Sequence, residues 1–263
     1  MLTQTIKQSG PLPSVRVVGA GGPRQVLRAL LNALRERDPE TCDHSERVVA
    51  FSLRLGRELS LDRLQMDALG LGALLHDIGK IRVPDAILNK PGKLTADEWA
   101  RMRNHPLYGQ QILSGIDFLA GATRVVAQHH EKWDGTGYPW GLAGEEIDLN
   151  ARIFAVADAF DAMTSDRVYR PGSSYETAAA ELTNGAGKQF DPAVVAAFHR
   201  VPRHEFEELC KRHRRRGLEG GLPRDSHLAA ALGARATKSV VHSRLIDACF
   251  GTGELRPLKR YDS

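Results

Sequence analysis

The chain has 263 residues, 42% hydrophobic and 26% charged, which suits one large globular domain and excludes wholesale disorder. No apolar run approaches the length of a membrane span, and MLTQTIKQSGPLP lacks the apolar stretch of a signal peptide. Three scattered cysteines, Cys42, Cys210 and Cys249, exclude a CxxC zinc site and a disulfide framework, so the expected setting is the reducing cytoplasm. The net charge of +4 comes from residues 201–263, where 13 Lys/Arg stand against 8 Asp/Glu.

In chain order, residues 1–22 read as a leader broken by Pro11, Pro13 and GAGG. VRVVGAGGPR is not a dinucleotide-binding turn, because Pro23 and Arg24 stand where a third glycine belongs and no βαβ unit follows. From Pro23 the period is helical, with Val26, Leu27, Leu30, Leu31 and Leu34 on one face. RVVAFSLRLGREL continues the pattern, and LDRLQMDALGLGALLHDIG is apolar enough for a central buried helix. Thr95 and Glu98 form a capping box, and helices are expected over 106–115, 120–131 and 149–164. Ser173 and Glu176 are read as a second capping box, and Asp191–Pro192 as an N-cap followed by proline at the first helical position. Strand-like alternation is almost absent and no repeat is visible, so the fold expected over 23–203 is all-α. Residues 204–263 read as a basic, partly ordered extension, and nucleic acid is an unlikely partner except through that basic segment.

Polar residues interrupt these apolar helices at defined places. They are Glu40 and His44, the pair His76–Asp77, His105, the pair His129–His130, and Asp158. One such histidine is ordinarily a hydrogen-bonded core residue. Five histidines and three carboxylates on different helices or at their ends are how helical bundles build di-metal sites. Glu40 and His44, four apart, share a helical face if this turn is helical. An Asp carboxylate such as Asp77 can bridge two ions. Imidazole and carboxylate without thiolate suit iron, manganese, zinc or a similar ion.

With no serine or cysteine nucleophile motif, metal-bound water is the available nucleophile. General base catalysis supplies roughly 10²–10⁴-fold, far short of the ~10¹⁷-fold or more that phosphate-ester hydrolysis can require. Two or three ions clamping attacking and leaving oxygens, with Lys80 as a charge partner three residues after Asp77, would make up the difference.

HSERV, HDIGKIRVPDAILNKPGKLTADEW, MRNHPLYGQQIL, HHEKWDGTGYPWGL, ARIFAVADAFDAMTSDRVYR and QFDPAVV occur in that order over about residues 25–200. The ordered set resembles the HD-GYP domain, a branch of the HD metal-dependent phosphohydrolases. The resemblance implies an HD-type helical bundle with a di- or trinuclear centre. It further implies hydrolysis of cyclic di-GMP to pGpG, and often on to GMP. His44, His76, Asp77, His105, His129, His130 and Asp158 are the implied ligands, with Asp77 bridging and Glu40 going with a third metal. Two or three divalent transition metals are expected, iron or manganese ahead of zinc. The resemblance also implies that Lys80 lies near the scissile phosphate, that Arg167 and Arg170 hold phosphates and guanine, and that Tyr138 lines the site. A solvated lysine, surface arginines and a turn-packing tyrosine are the plainer alternatives. The GYP loop is further implied as a docking surface for GGDEF-domain proteins. Asp148 departs from the family's usual proline. The 22 residues before the domain are too few for a sensory domain, so control is expected from expression, a partner or the tail. Two other readings compete: a low-turnover sensor of the messenger, and a hydrolase of cyclic GMP-AMP, a linear dinucleotide or a nucleotide.

Overall fold

The computed structural model describes residues 22–38, 41–166 and 171–218, with side chains given for 22–38, 44–166 and 171–211. Glu40, Arg167, Arg170, the leader before residue 22 and the extension past 218 lie outside the described residues.

The described helices are α1 (Pro23–Arg37), α2 (Thr41–Glu58), α3 (Arg63–Leu75), α4 (Asp85–Leu88), α5 (Ala96–Met102), α6 (His105–Leu113), α7 (Ala120–Gln128), α8 (Leu149–Thr164), α9 (Tyr175–Asn184), α10 (Pro192–Arg200) and α11 (Arg203–Leu218). Among the described residues there is no strand, only isolated bridges, and no helix long and apolar enough to cross a membrane.

Local chemistry sets the boundaries. Asp62 opens α3 with a capping box to Gln65, and Thr95 opens α5 with the expected box to Glu98. The second expected box is displaced by one residue: Ser174, not Ser173, caps α9 by accepting the Thr177 amide. Asp191 caps α10 as expected. Asp148 caps α8 through the Asn150 amide while its own N–H donates to Gln128 Oε1 at 2.7 Å. A proline has no N–H to make that second bond.

Helix α3 is buried from Leu69 to Leu75 and packs against α2, α7 and α8. On α2, His44, Arg47, Phe51 and Leu55 fall at helical spacing, so one stripe runs from polar to apolar. On α8, Phe154, Asp158 and Asp161 share a face in the same way. The apolar end is closed by Phe51, Phe160, Phe198 and Phe206, whose neighbouring ring centroids lie 4.8–5.8 Å apart, in the range where aromatic pairs add to plain burial. Phe206 is fully buried, so α11 carries this core past residue 203. The polar ends of the same stripes meet at the other end of the bundle.

Candidate metal centre

The 3₁₀ turn Ile78–Arg82 crosses the start of α6 so closely that a Cβ on Gly79 would lie 1.8 Å from His105 O. Only glycine permits that approach, and it sets Asp77 and Lys80 beside His105. The helix expected over LDRLQMDALGLGALLHDIG stops at Leu75. His76 caps it, and Asp77 already has non-helical ψ. Likewise α7 ends at Gln128 rather than 131, leaving His129 and His130 in the turn.

Two groups result. Ligand atoms of His44, His76 and Asp158 all lie within 4.8 Å of one another, and so do those of His105, His129 and His130. The histidine rings form a row, His44–His76–His129–His130, with centroids 4.1–5.5 Å apart. Asp77 stands between the groups. Its Oδ2 is 3.1 Å from His76 Nε2 and its Oδ1 is 3.4 Å from His105 Nε2. Of the eight expected ligands, the structure brings seven together; Glu40 is outside the described residues.

The tautomers are set by the backbone. His76, His105 and His129 each donate Nδ1–H to the carbonyl three residues earlier, Ala73, Met102 and Val126, at 2.8–2.9 Å. Each Nε2 is then a bare lone pair aimed inward. His105 Nε2 and His129 Nε2 face each other at 3.1 Å, a contact two lone pairs do not tolerate without a cation between or beside them. The donor set therefore fits a metal, whose bonds to such atoms run about 2.0–2.2 Å. Burial, with the neighbouring imidazoles, holds His105 and His129 below the usual histidine range and His130 at about 4, so this group is neutral and ready to ligate. His44 differs: burial pulls it down, but hydrogen bonds to Asp158 and Asp161 outweigh that and carry it up to about 9. Burial raises Asp77 too, yet His76 and Lys80 hold its carboxyl well below the usual range.

Side chains that the sequence did not single out complete the site. Asp161 accepts His44 Nδ1–H at 2.7 Å and is itself gripped by Arg47 at 2.6 and 3.0 Å. Its position three residues after Asp158 on an apolar helix was the available signal. Lys80 Nζ lies 2.9 Å from Asp77 Oδ2 and 3.0 Å from Asp38 Oδ2. Burial would lower the lysine, and the two carboxylates outweigh it, raising the pKa.

The loop after His130 is built around Glu131, a buried carboxylate that accepts the Trp140 and Leu142 amides at 2.8 and 3.1 Å. A Cβ on Gly137 would meet Lys132 N at 2.3 Å, and Gly135 has φ +78°, so both glycines are required by the loop's path. Tyr138 stacks on His130, centroids 4.7 Å apart, and the Arg103 guanidinium lies 4.6 Å from its ring. The tyrosine sits at the edge of the site, its hydroxyl pKa pushed up to about 12 by burial.

Fold and site together define an all-helical bundle with paired histidine–aspartate groups that could hold metal ions. The sequence model of the HD domain family matches residues 28–194, and the chain belongs to that family. Among curated proteins it is 40% identical over 212 residues to a probable cyclic di-GMP phosphodiesterase of Vibrio cholerae, covering 74% of this chain and 46% of that one. It is 41% identical over 189 residues to the cyclic di-GMP phosphodiesterase response regulator RpfG of Xanthomonas campestris, covering 71% and 50%. The chain thus spans about half the length of these relatives. A solved cyclic GMP-AMP specific phosphodiesterase of V. cholerae shares the fold, with TM-score 0.52 at 16% identity over 88% of this chain and 71% of that one. These relatives bear out the family resemblance read from the motifs.

Proposed function

We propose that this chain hydrolyses a phosphodiester bond of cyclic di-GMP, giving linear pGpG and then GMP, and so lowers the level of a second messenger in the cytoplasm. The observation that carries this reading is Asp77, one carboxylate with an oxygen toward each of two histidine-rich groups. His44, His76 and Asp158 would hold one divalent ion and His105, His129 and His130 the other; the imidazole–carboxylate set suits iron, manganese or zinc, and the family resemblance puts iron or manganese first. When bound, such ions generate a nucleophile from water at neutral pH and clamp the attacking and leaving oxygens of an in-line displacement.

The chain's own residues supply the rest. Lys80 offers an ammonium to a phosphate oxygen beside Asp77, where charge builds in the transition state. Asp161 fixes the orientation of His44, and Glu131 holds the loop that seats Tyr138 against His130. Arg167 and Arg170 would grip the substrate's phosphates and guanine, and Glu40 would add a ligand for a third ion. The half-exposed Trp140 on the loop supports a docking role toward a GGDEF-domain protein.

A second substrate, cyclic GMP-AMP, is favoured by the V. cholerae relatives named for it. A low-turnover sensor is the remaining alternative. Anaerobically purified protein incubated with cyclic di-GMP and with 3'3'-cyclic GMP-AMP separates the three by chromatography of the products. Release of pGpG and GMP, faster from cyclic di-GMP, supports the proposal. Faster cleavage of the mixed dinucleotide would replace the substrate, and tight binding without product would replace the enzyme with a sensor.

A further inference from the structure

We propose that Asp38 is the positioning residue for Lys80, holding its ammonium in place at the metal centre independently of Asp77. This rests on the reading that Lys80 meets the scissile phosphate. An ammonium has three N–H donors on a flexible stem. One goes to Asp77 Oδ2 at 2.9 Å and one to Asp38 Oδ2 at 3.0 Å. With two directions fixed, the third is fixed as well and remains for a phosphate oxygen.

Asp77 cannot be the sole anchor. The same Oδ2 lies 3.1 Å from His76 Nε2, so an ion held by His76 competes with Lys80 for that oxygen. Asp38 belongs to neither histidine group and comes from a different element. Its amide closes α1 by donating to Leu34 O at 2.8 Å, and Leu34 is buried in the core. Next to it, Arg37 donates to Val83 O at 2.7 Å, just past the 3₁₀ turn that carries Lys80. The carboxylate is therefore supported from both sides, as a group that orients another must be.

The test uses the full chain with Asp38→Asn, Asp38→Glu, Lys80→Ala and the double variant Asp38→Asn/Lys80→Ala. Lysine ammonium ¹H–¹⁵N spectra are recorded on metal-free and zinc-loaded protein, alongside metal content and steady-state kinetics with cyclic di-GMP. The wild type should show a slowly exchanging ammonium signal that Lys80→Ala removes. Asp38→Asn should lose it and Asp38→Glu restore it, with metal content unchanged. A misplaced group can cost up to about 10²-fold, so kcat should fall roughly tenfold or more in Asp38→Asn, with KM within about threefold. Adding Asp38→Asn to Lys80→Ala should cost nothing further. Survival of the signal in Asp38→Asn, a smaller loss of kcat, or a loss that adds in full to that of Lys80→Ala would overturn the inference. If the wild type cleaves no cyclic di-GMP, the functional reading fails, and the ammonium signal alone decides the role of Asp38.

Discussion

Asp161 accepts the Nδ1 proton of His44 at 2.7 Å, while Asp158, one turn earlier on α8, has its Oδ1 3.1 Å from the Nε2 of the same ring. One helix thus holds both ends of one imidazole. Such outer carboxylates fix tautomer and ring direction, and their loss typically costs about 10–100-fold in metal affinity. Asp161→Asn is expected to weaken one binding step by that factor and leave the other, at His105, His129 and His130, within about threefold. Competitive titration with a chromophoric chelator measures both steps.

Gly79→Ala is expected to damage the centre without altering a ligand. The added methyl would sit on His105 O and 2.5 Å from Gly109 N, forcing the 3₁₀ turn away from α6. Overpacking against backbone of this kind costs about 3 kcal/mol, measurable as a lower urea midpoint of the metal-free protein. The loaded variant should also hold less metal than wild type.

Glu131→Ala should release the loop and spare the ions. Hydrogen bonds to a charged group contribute about 1.5–3 kcal/mol each, and Trp140 and Leu142 would lose theirs together. Limited proteolysis is expected to cut within residues 132–147 much faster than in wild type, at unchanged metal content.

Chelation should destabilise the whole bundle, because the candidate ligands sit on α2, α6, α8 and the ends of α3 and α7. An ion at 100 times its Kd stabilises a folded protein by about 2.7 kcal/mol. Calorimetry with and without chelator should therefore show a lower Tm without metal, and His105→Ala should show a smaller difference than wild type.

Helix positions and the seven candidate ligand residues that the structure brings together were legible because their signals are local. Asp191–Pro192, Thr95–Glu98 and the apolar run before His76 each carry their meaning within a few residues. The supporting shell was less legible. Asp38 reaches Lys80 across 42 positions and Asp161 reaches His44 across 117, and nothing local marks either pairing. Glu131 sits inside a quoted motif, yet its role depends on a chain reversal nine residues long. The stop of α3 at Leu75 was not legible, because an apolar run predicts a helix but not the close glycine contact beside which it ends.

That Asp77 joins two metal-binding groups into one hydrolytic centre is tested most directly by comparing wild type with Asp77→Ala. Elemental analysis of anaerobically prepared protein is paired with single-turnover cleavage of cyclic di-GMP. Wild type should carry at least two transition-metal ions per chain and release pGpG. Asp77→Ala should lose at least one ion and all detectable cleavage. A variant that keeps both its ions and its cleavage rate would contradict the bridging role.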